Sequence, residues 1–187
     1  MPTHVALLRG INLGGHNKVA MADLRTVVAS LGHGDVATYI QSGNVVFTST
    51  DSDTAALAAE LERALEQAVG VRSSVVVLSR AELAKVIADN PFPDEADPKH
   101  LHAIFRGAKV GAREAAAIAD AERRAADKGG RDQARVVGRT VYLRTPDGLG
   151  RSELAAQLAK ADPAATDRGG TARNWATVTK LLAMLDA

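Results

Sequence analysis

The side chains able to do chemistry fall into three short segments. The first is Arg9-Gly10-Ile11-Asn12-Leu13-Gly14-Gly15-His16-Asn17-Lys18, where cationic and amide donors are interspersed with glycine. Glycine lets backbone N–H groups approach a ligand closely, and Arg9, Asn12, Asn17 and Lys18 add side-chain donors. The segment lies between an extended run, His4 to Arg9, and a helical pattern that begins at Met21. It therefore leads into a helix N-terminus, where unsatisfied N–H groups and the helix dipole favour an anion. A phosphate or carboxylate cradle fits this composition, and so does a long polar loop with glycine turns. The second segment, Tyr39-Ile40-Gln41-Ser42-Gly43-Asn44, places Gln41, Ser42 and Asn44 at a hairpin tip. Ser-Gly-Asn is good turn chemistry in its own right, which is the simpler local reading. The third, Thr171-Ala172-Arg173-Asn174-Trp175, holds the single Trp; Arg173 suits a bidentate oxyanion contact and Lys18 a point charge. The plain alternative is a helix start with Trp175 docked on the core. Gly148-Leu149-Gly150-Arg151-Ser152 is a weaker fourth, a glycine turn and helix cap that contains an arginine.

Several chemistries are excluded. Gly10 and Gly15 have the outer spacing of a P-loop, but His16-Asn17 stand where Lys-Ser/Thr would hold β/γ-phosphates and magnesium. The chain has no cysteine, so disulfides, thiol catalysis and thiolate metal sites are out. His100 and His102 share one strand face but have no third ligand at a fixed spacing, so no metal is expected. Ser42 lacks a G-x-S-x-G elbow. Arg113, Glu114, Glu122 and Arg124 read as a solvated helix face. With no cofactor motif, the leading expectation is a binding protein for a small anion, a phosphorylated one foremost, held between the loop after Arg9, the Ser42 hairpin and the Arg173 segment. A phosphate or acyl-phosphate hydrolase using Arg9 and Asn44 is the alternative; the segments offer no clear general base, so catalytic residues stay unassigned. With 23 basic and 22 acidic residues the net charge is +1, which gives no global attraction to nucleic acid or acidic lipid. Nucleic-acid binding and a purely structural or dimerising role rank lower, and monomer and homodimer are both open. No apolar run approaches about 18 residues, and the N-terminus enters a strand rather than a leader, so no membrane partner and a cytoplasmic location are expected.

These segments must be positioned by regular elements. Leu24, Val28 and Leu31 follow Met21 at helical spacing; residues 36–41 and 44–49 are β-rich around Ser42-Gly43. Asp51 to Thr54 supplies caps for a helix with Leu57, Leu61 and Leu65 on one face. A strand over 71–78 is followed by the capping box Ser79/Glu82 and a helix that Asn90-Pro91 ends. The order βαββαβ suggests a ferredoxin-like plait. The prolines at 91, 93 and 98 then mark a solvated linker. At a shift of 97 residues Ala6-Leu7-Leu8-Arg9-Gly10 matches Ala103-Ile104-Phe105-Arg106-Gly107, and Leu57-Ala58-Ala59-Glu60-Leu61 matches Leu154-Ala155-Ala156-Gln157-Leu158. The expected organisation is thus α+β by internal duplication: a βαββαβ plait over 1–90, a linker over 91–98, and a variant βαββα plait over 99–187. The second unit has no convincing fourth strand around Thr171 and lacks the loop of about ten residues after Arg9. The apolar run Val75 to Leu78 indicates that the sheet face away from the helices is covered as well.

Together, Arg9-Gly10-Ile11-Asn12 with Lys18, Tyr39 to Phe47, and Thr171 to Trp175 resemble the bacterial family catalogued as domain of unknown function 1697. The resemblance runs across nearly the whole chain and implies two α/β-plait units. It implies marked positions at Arg9, Gly10, Asn12, Lys18, Gln41, Ser42, Gly43, Asn44, Arg173, Asn174 and Trp175. It brings no established activity.

Overall fold

A computed structural model describes residues 1–160 and 170–187. By its contacts the chain divides into two compact units, Met1–Lys85 with Thr179–Ala187, and Val86–Val178. This division differs from the one read from the prolines, because the C-terminal segment groups with the first unit.

In the first unit the alternating and apolar runs become β1 (His4–Leu8), α1 (Met21–Ser30), β2 (Gly34–Tyr39), β3 (Asn44–Thr48), α2 (Thr54–Val69) and β4 (Val75–Ser79), and the chain continues into α3 (Arg80–Ala88). The strand order is β2-β3-β1-β4 and every neighbouring pair is antiparallel. Alternation along the strands sends Ala6, Leu8, Val45, Phe47, Val75 and Val77 to one face, where they pack with Leu24 and Val28 of α1 and Leu57, Leu61 and Leu65 of α2. Val5, Leu7, Val46, Val76 and Leu78 on the other face are buried too, as the apolar run of β4 leads one to expect. Local signals set the helix starts. The Asp53 carboxylate accepts the N–H groups of Ala55 and Ala56, both at 3.0 Å. At α3, Ser79 N–H donates to Glu82 Oε2 at 2.8 Å and Glu82 N–H to Ser79 Oγ at 3.2 Å, the reciprocal pair of a capping box.

The second unit has β5 (Leu101–Phe105), α4 (Ala112–Asp127), β6 (Gln133–Val137), β7 (Thr140–Arg144), α5 (Glu153–Lys160) and β8 (Thr171–Asn174), after which α6 (Trp175–Leu185) begins. Its sheet order is β6-β7-β5-β8, again antiparallel throughout. The expectation of a unit without a fourth strand is therefore corrected. Thr-Ala-Arg-Asn has little β propensity, but the β5 ladder recruits it, pairing Ala103 with Arg173 and Phe105 with Thr171. Arg168 and Gly169, which precede this segment in sequence, lie outside the described residues.

The 97-residue match holds for the helices but slips on the strands. Leu154 and Leu158 pack on the α4–α5 core as Leu57 and Leu61 pack on theirs. On β5, however, Ile104 joins that core with Val141 and Leu143, while Ala103 opposes Tyr142 on the reverse face. Ala6 faces its helices and Ala103 faces away from its own, the consequence of a one-residue slip in a period of two. The segment 91–98 is not simply solvated either. The Glu95 side chain is 8% exposed and receives Arg144 Nε at 2.7 Å, and the Arg135 guanidinium lies 5.8 Å from the Phe92 ring centroid. Burial opposes ionisation of Glu95, but the Arg144 hydrogen bond and the Asp97 N–H outweigh it and hold its carboxyl below the usual range.

Candidate functional site

Where β1 ends, three segments meet. Leu8 N–H donates to the Gly43 carbonyl at 2.8 Å, which fixes the 40–43 turn beside the strand. Arg9 N–H reaches the Ser74 carbonyl at 2.9 Å and Ser73 Oγ at 3.1 Å, and Ser73 Oγ–H returns to the Arg9 carbonyl at 2.8 Å. The loop from residue 10 then crosses to α1. Residues 9–20, 39–44 and 70–75 contain no Asp or Glu. The Ser73–Ser74 strand entry is a part of this cluster that sequence reasoning placed inside a longer strand. The break that two serines make in the apolar run 71–78 was the available signal.

The asparagines build the scaffold of this cluster. Asn12 Nδ2 donates to the carbonyls of Val19 and Gln41, each at 2.9 Å, and Asn12 Oδ1 accepts Val19 N–H at 2.9 Å. One amide thus closes the loop on itself and ties it to the hairpin turn. Asn17 Nδ2 donates to the Gly10 carbonyl at 3.2 Å, and Asn12 N–H to the Asn17 carbonyl at 3.0 Å. Asn44 is fully buried, its Nδ2 donating to the Tyr39 carbonyl at 3.0 Å and Ser42 Oγ at 2.9 Å. Asn12 and Asn17 have φ of 56° and 49°, left-handed values that asparagine tolerates. Ile40 has φ 48°, which is costly for a β-branched residue, and the residue is 51% exposed. Leu13 bridges His16 across Gly14-Gly15 and is exposed at the tip.

Gly14, Gly15, Lys18 and Gln41 are exposed, while Arg9 and Ser42 are half-buried. Helix α1 starts at Met21 with Ala20 in the N-cap position, so no side chain caps its first N–H groups; Asp23 sits in its first turn. The backbone and Lys18 present positive potential, with the Asp23 carboxylate as the one opposing charge in that turn. In the second unit the connection after β5 is shorter, and Arg106 Nη2 pairs with Glu114 Oε1 at 2.7 Å in the first turn of α4.

The Arg173 segment belongs to the second unit and has internal roles there. Arg173 is buried and donates from Nη1 to Thr171 Oγ1 at 2.6 Å and the Ala172 carbonyl at 2.8 Å. Burial pushes its guanidinium down to about 10, which leaves it cationic at neutral pH. Asn174 Oδ1 caps α6 by accepting Thr177 N–H at 2.9 Å, and the Trp175 ring lies 6.3 Å from that of Tyr142. Tyr142 OH donates to the Val86 carbonyl at 2.7 Å, and burial with the Asp89 charge pushes the phenol up to about 12. The open groove between α4 and β6 is lined by Ala115, Ile118, Ala126 and Val136 among others and contains none of the candidate residues.

Other constellations find little structural basis. Tyr39 opposes Asn44 while Phe47 points to the helices, so the two rings lie on opposite sheet faces and form no stacking platform. No group of three or more His, Asp or Glu that could hold a metal occurs among the described residues. No helix among them is long and apolar enough to cross a membrane.

The sequence pattern of a family described as protein of unknown function, DUF1697, matches residues 1–142. The chain belongs to the DUF1697 family. The match takes in the loop and hairpin segments and ends before Thr171. A solved structure of the conserved bacterial protein SP0830 from Streptococcus pneumoniae resembles this DUF1697 chain with a TM-score of 0.72 and 27% identity, covering 98% of each chain. Comparison with curated proteins gives no match.

Proposed function

We propose that the first unit binds a small anion, a phosphorylated molecule foremost, where the loop 10–18 meets the 41–43 turn. The observation that carries this reading is the convergence of three carboxylate-free segments at the end of β1, beside a helix start with no side-chain cap. In this reading Lys18 and Arg9 supply charge, Gly14 and Gly15 supply backbone N–H groups, and Gln41 and Ser42 supply polar contacts. Asn12, Asn17 and Asn44 hold the shape. Gly10 turns the chain out of the strand. Arg173, Asn174 and Trp175 are engaged within their own unit, and the site proposed here is drawn from first-unit residues. Each unit is read as a ferredoxin-like α/β plait, the pair derived from duplication; the matching orders β2-β3-β1-β4 and β6-β7-β5-β8 support that reading.

The test is thermal denaturation with inorganic phosphate, pyrophosphate and sulfate on wild type and Lys18→Ala, with Lys180→Ala as control. Binding at one hundred times Kd would stabilise by about 2.7 kcal/mol. An upward shift in Tm that Lys18→Ala weakens and Lys180→Ala leaves intact supports the site. No shift with any of the anions refutes it. The hydrolase alternative gains nothing from the geometry, since the Asn44 amide hydrogens are both engaged within the hairpin.

A further inference from the structure

At the other end of β1, two imidazoles flank one phenyl ring. His4 stacks on Phe47 with centroids 5.7 Å apart, and His33, in the α1–β2 connection, tilts against it at 4.8 Å. All three are inside the first unit: His4 and Phe47 are buried, and the His33 side chain is 8% exposed. His33 Nε2 has no hydrogen-bond partner among the described residues, and Glu60 Oε2 on α2 stands 3.5 Å from it. His4 Nδ1 is 2.8 Å from Thr3 Oγ1. That hydroxyl also accepts Ser49 N–H at 3.0 Å and lies 3.3 Å from the Ser49 carbonyl. A hydroxyl has one proton to give. It donates to a bare Nδ1 or to the carbonyl, and a doubly protonated His4 forces the second choice.

We propose that His4, held against Phe47 with His33 on the ring's other side, forms an acid-operated latch, closed while the His4 imidazole is neutral and opened by its protonation, which frees the ends of β1 and β3. Glu60 faces His33 and would stabilise a cation there, so the latch is worked from His4, whose surroundings differ. The Glu82 carboxylate of α3 is engaged by Ser79 N–H at 2.8 Å, Asp51 by Asp53 N–H at 2.9 Å, and Asp35 of β2 by Thr48 Oγ1 at 2.8 Å. His4 therefore has a hydroxyl and an aromatic face but no carboxylate among its hydrogen bonds. Burial lowers the His4 pKa from its ordinary 6.5; Glu82 and Asp51 oppose this and His33 reinforces it. The sign follows: the open state binds more protons below 6.5, so the latch holds above that pH and loosens as pH falls.

The latch stands apart from the anion site and does not need it. Amide hydrogen exchange on the full chain tests it, with intrinsic rates corrected, at pH 7.5 and 5.0. The reporters are Thr3 N–H, bonded to the Phe47 carbonyl at 3.0 Å, and Ser49 N–H; α2 amides serve as reference. A group that titrates at 6.5 when open and lower when latched gives a loss of protection at pH 5.0 of at most about thirtyfold. The expected result is that loss in wild type at Thr3 and Ser49, and a smaller loss in His4→Gln. His4→Asn is the second variant should His4→Gln fold poorly. Protection unchanged with pH in the wild type, or equal pH dependence in wild type and folded variants, overturns the proposal.

Discussion

Gly43 sits where the hairpin turn passes over β1, with φ of 75°, and a Cβ placed there would lie 2.7 Å from Leu8 Cβ and 2.9 Å from Ile11 Cδ1. Gly14, at the loop tip, has φ of 54° and nothing within 4 Å of such a Cβ. Alanine at either position must adopt the left-handed region, at about 1–2 kcal/mol. Only Gly43→Ala adds overpacking, at about 1–3 kcal/mol, because Leu8 and Ile11 are buried and have nowhere to yield. Both variants share the opposing gain from a less flexible unfolded chain, so it cancels in the difference. Gly43→Ala should therefore lose about 1–3 kcal/mol more than Gly14→Ala. For a chain of this size each kcal/mol moves Tm by about 2–4 °C. Urea denaturation of both variants against wild type measures the gap directly. Equal losses would mean the turn moves aside without cost, and the view of a rigidly seated hairpin would fail.

Asn12→Asp keeps the acceptor for Val19 N–H but removes both amide donors. It should cost about 1–3 kcal/mol and make the tip around Gly14-Gly15 a site of limited proteolysis. Glu122 Oε2 accepts Ala134 N–H at 2.8 Å, and the Arg135 guanidinium covers the Ala134 carbonyl at 2.6 Å, so together they blunt the edge strand β6. Glu122→Ala should give concentration-dependent self-association in light scattering, whereas wild type at equal concentration stays unchanged. In the second unit, burial and then the nearby His100 lower the pKa of His102 from its ordinary 6.5. The unfolded chain binds the extra proton, so stability from His102 is complete above that value and declines as pH falls; His102→Gln should flatten the slope of stability between pH 7 and 5.

Much of this architecture could be read without coordinates because it is set by residues close in sequence. Asp53 and the Ser79/Glu82 pair cap their helices through contacts within three positions, and the leucines of α2 follow the 3.6-residue period. The Gly138-Arg139 turn between β6 and β7 is also local chemistry. The carboxylate-free character of the loop and hairpin is likewise a property of composition. Tertiary structure decided the remainder. Thr171–Asn174 is a strand only because β5 offers it a ladder, and strand phase depends on which face meets the helices, so a sequence match cannot detect a one-residue slip. Most of all, Asn12, Asn17 and Asn44 carry donors suited equally to a ligand and to a backbone. Their partners, the carbonyls of Val19, Gln41, Gly10 and Tyr39, include groups up to 29 residues away. A side chain's type gives its hydrogen-bonding capacity, but where that capacity is used depends on which carbonyls folding brings within reach.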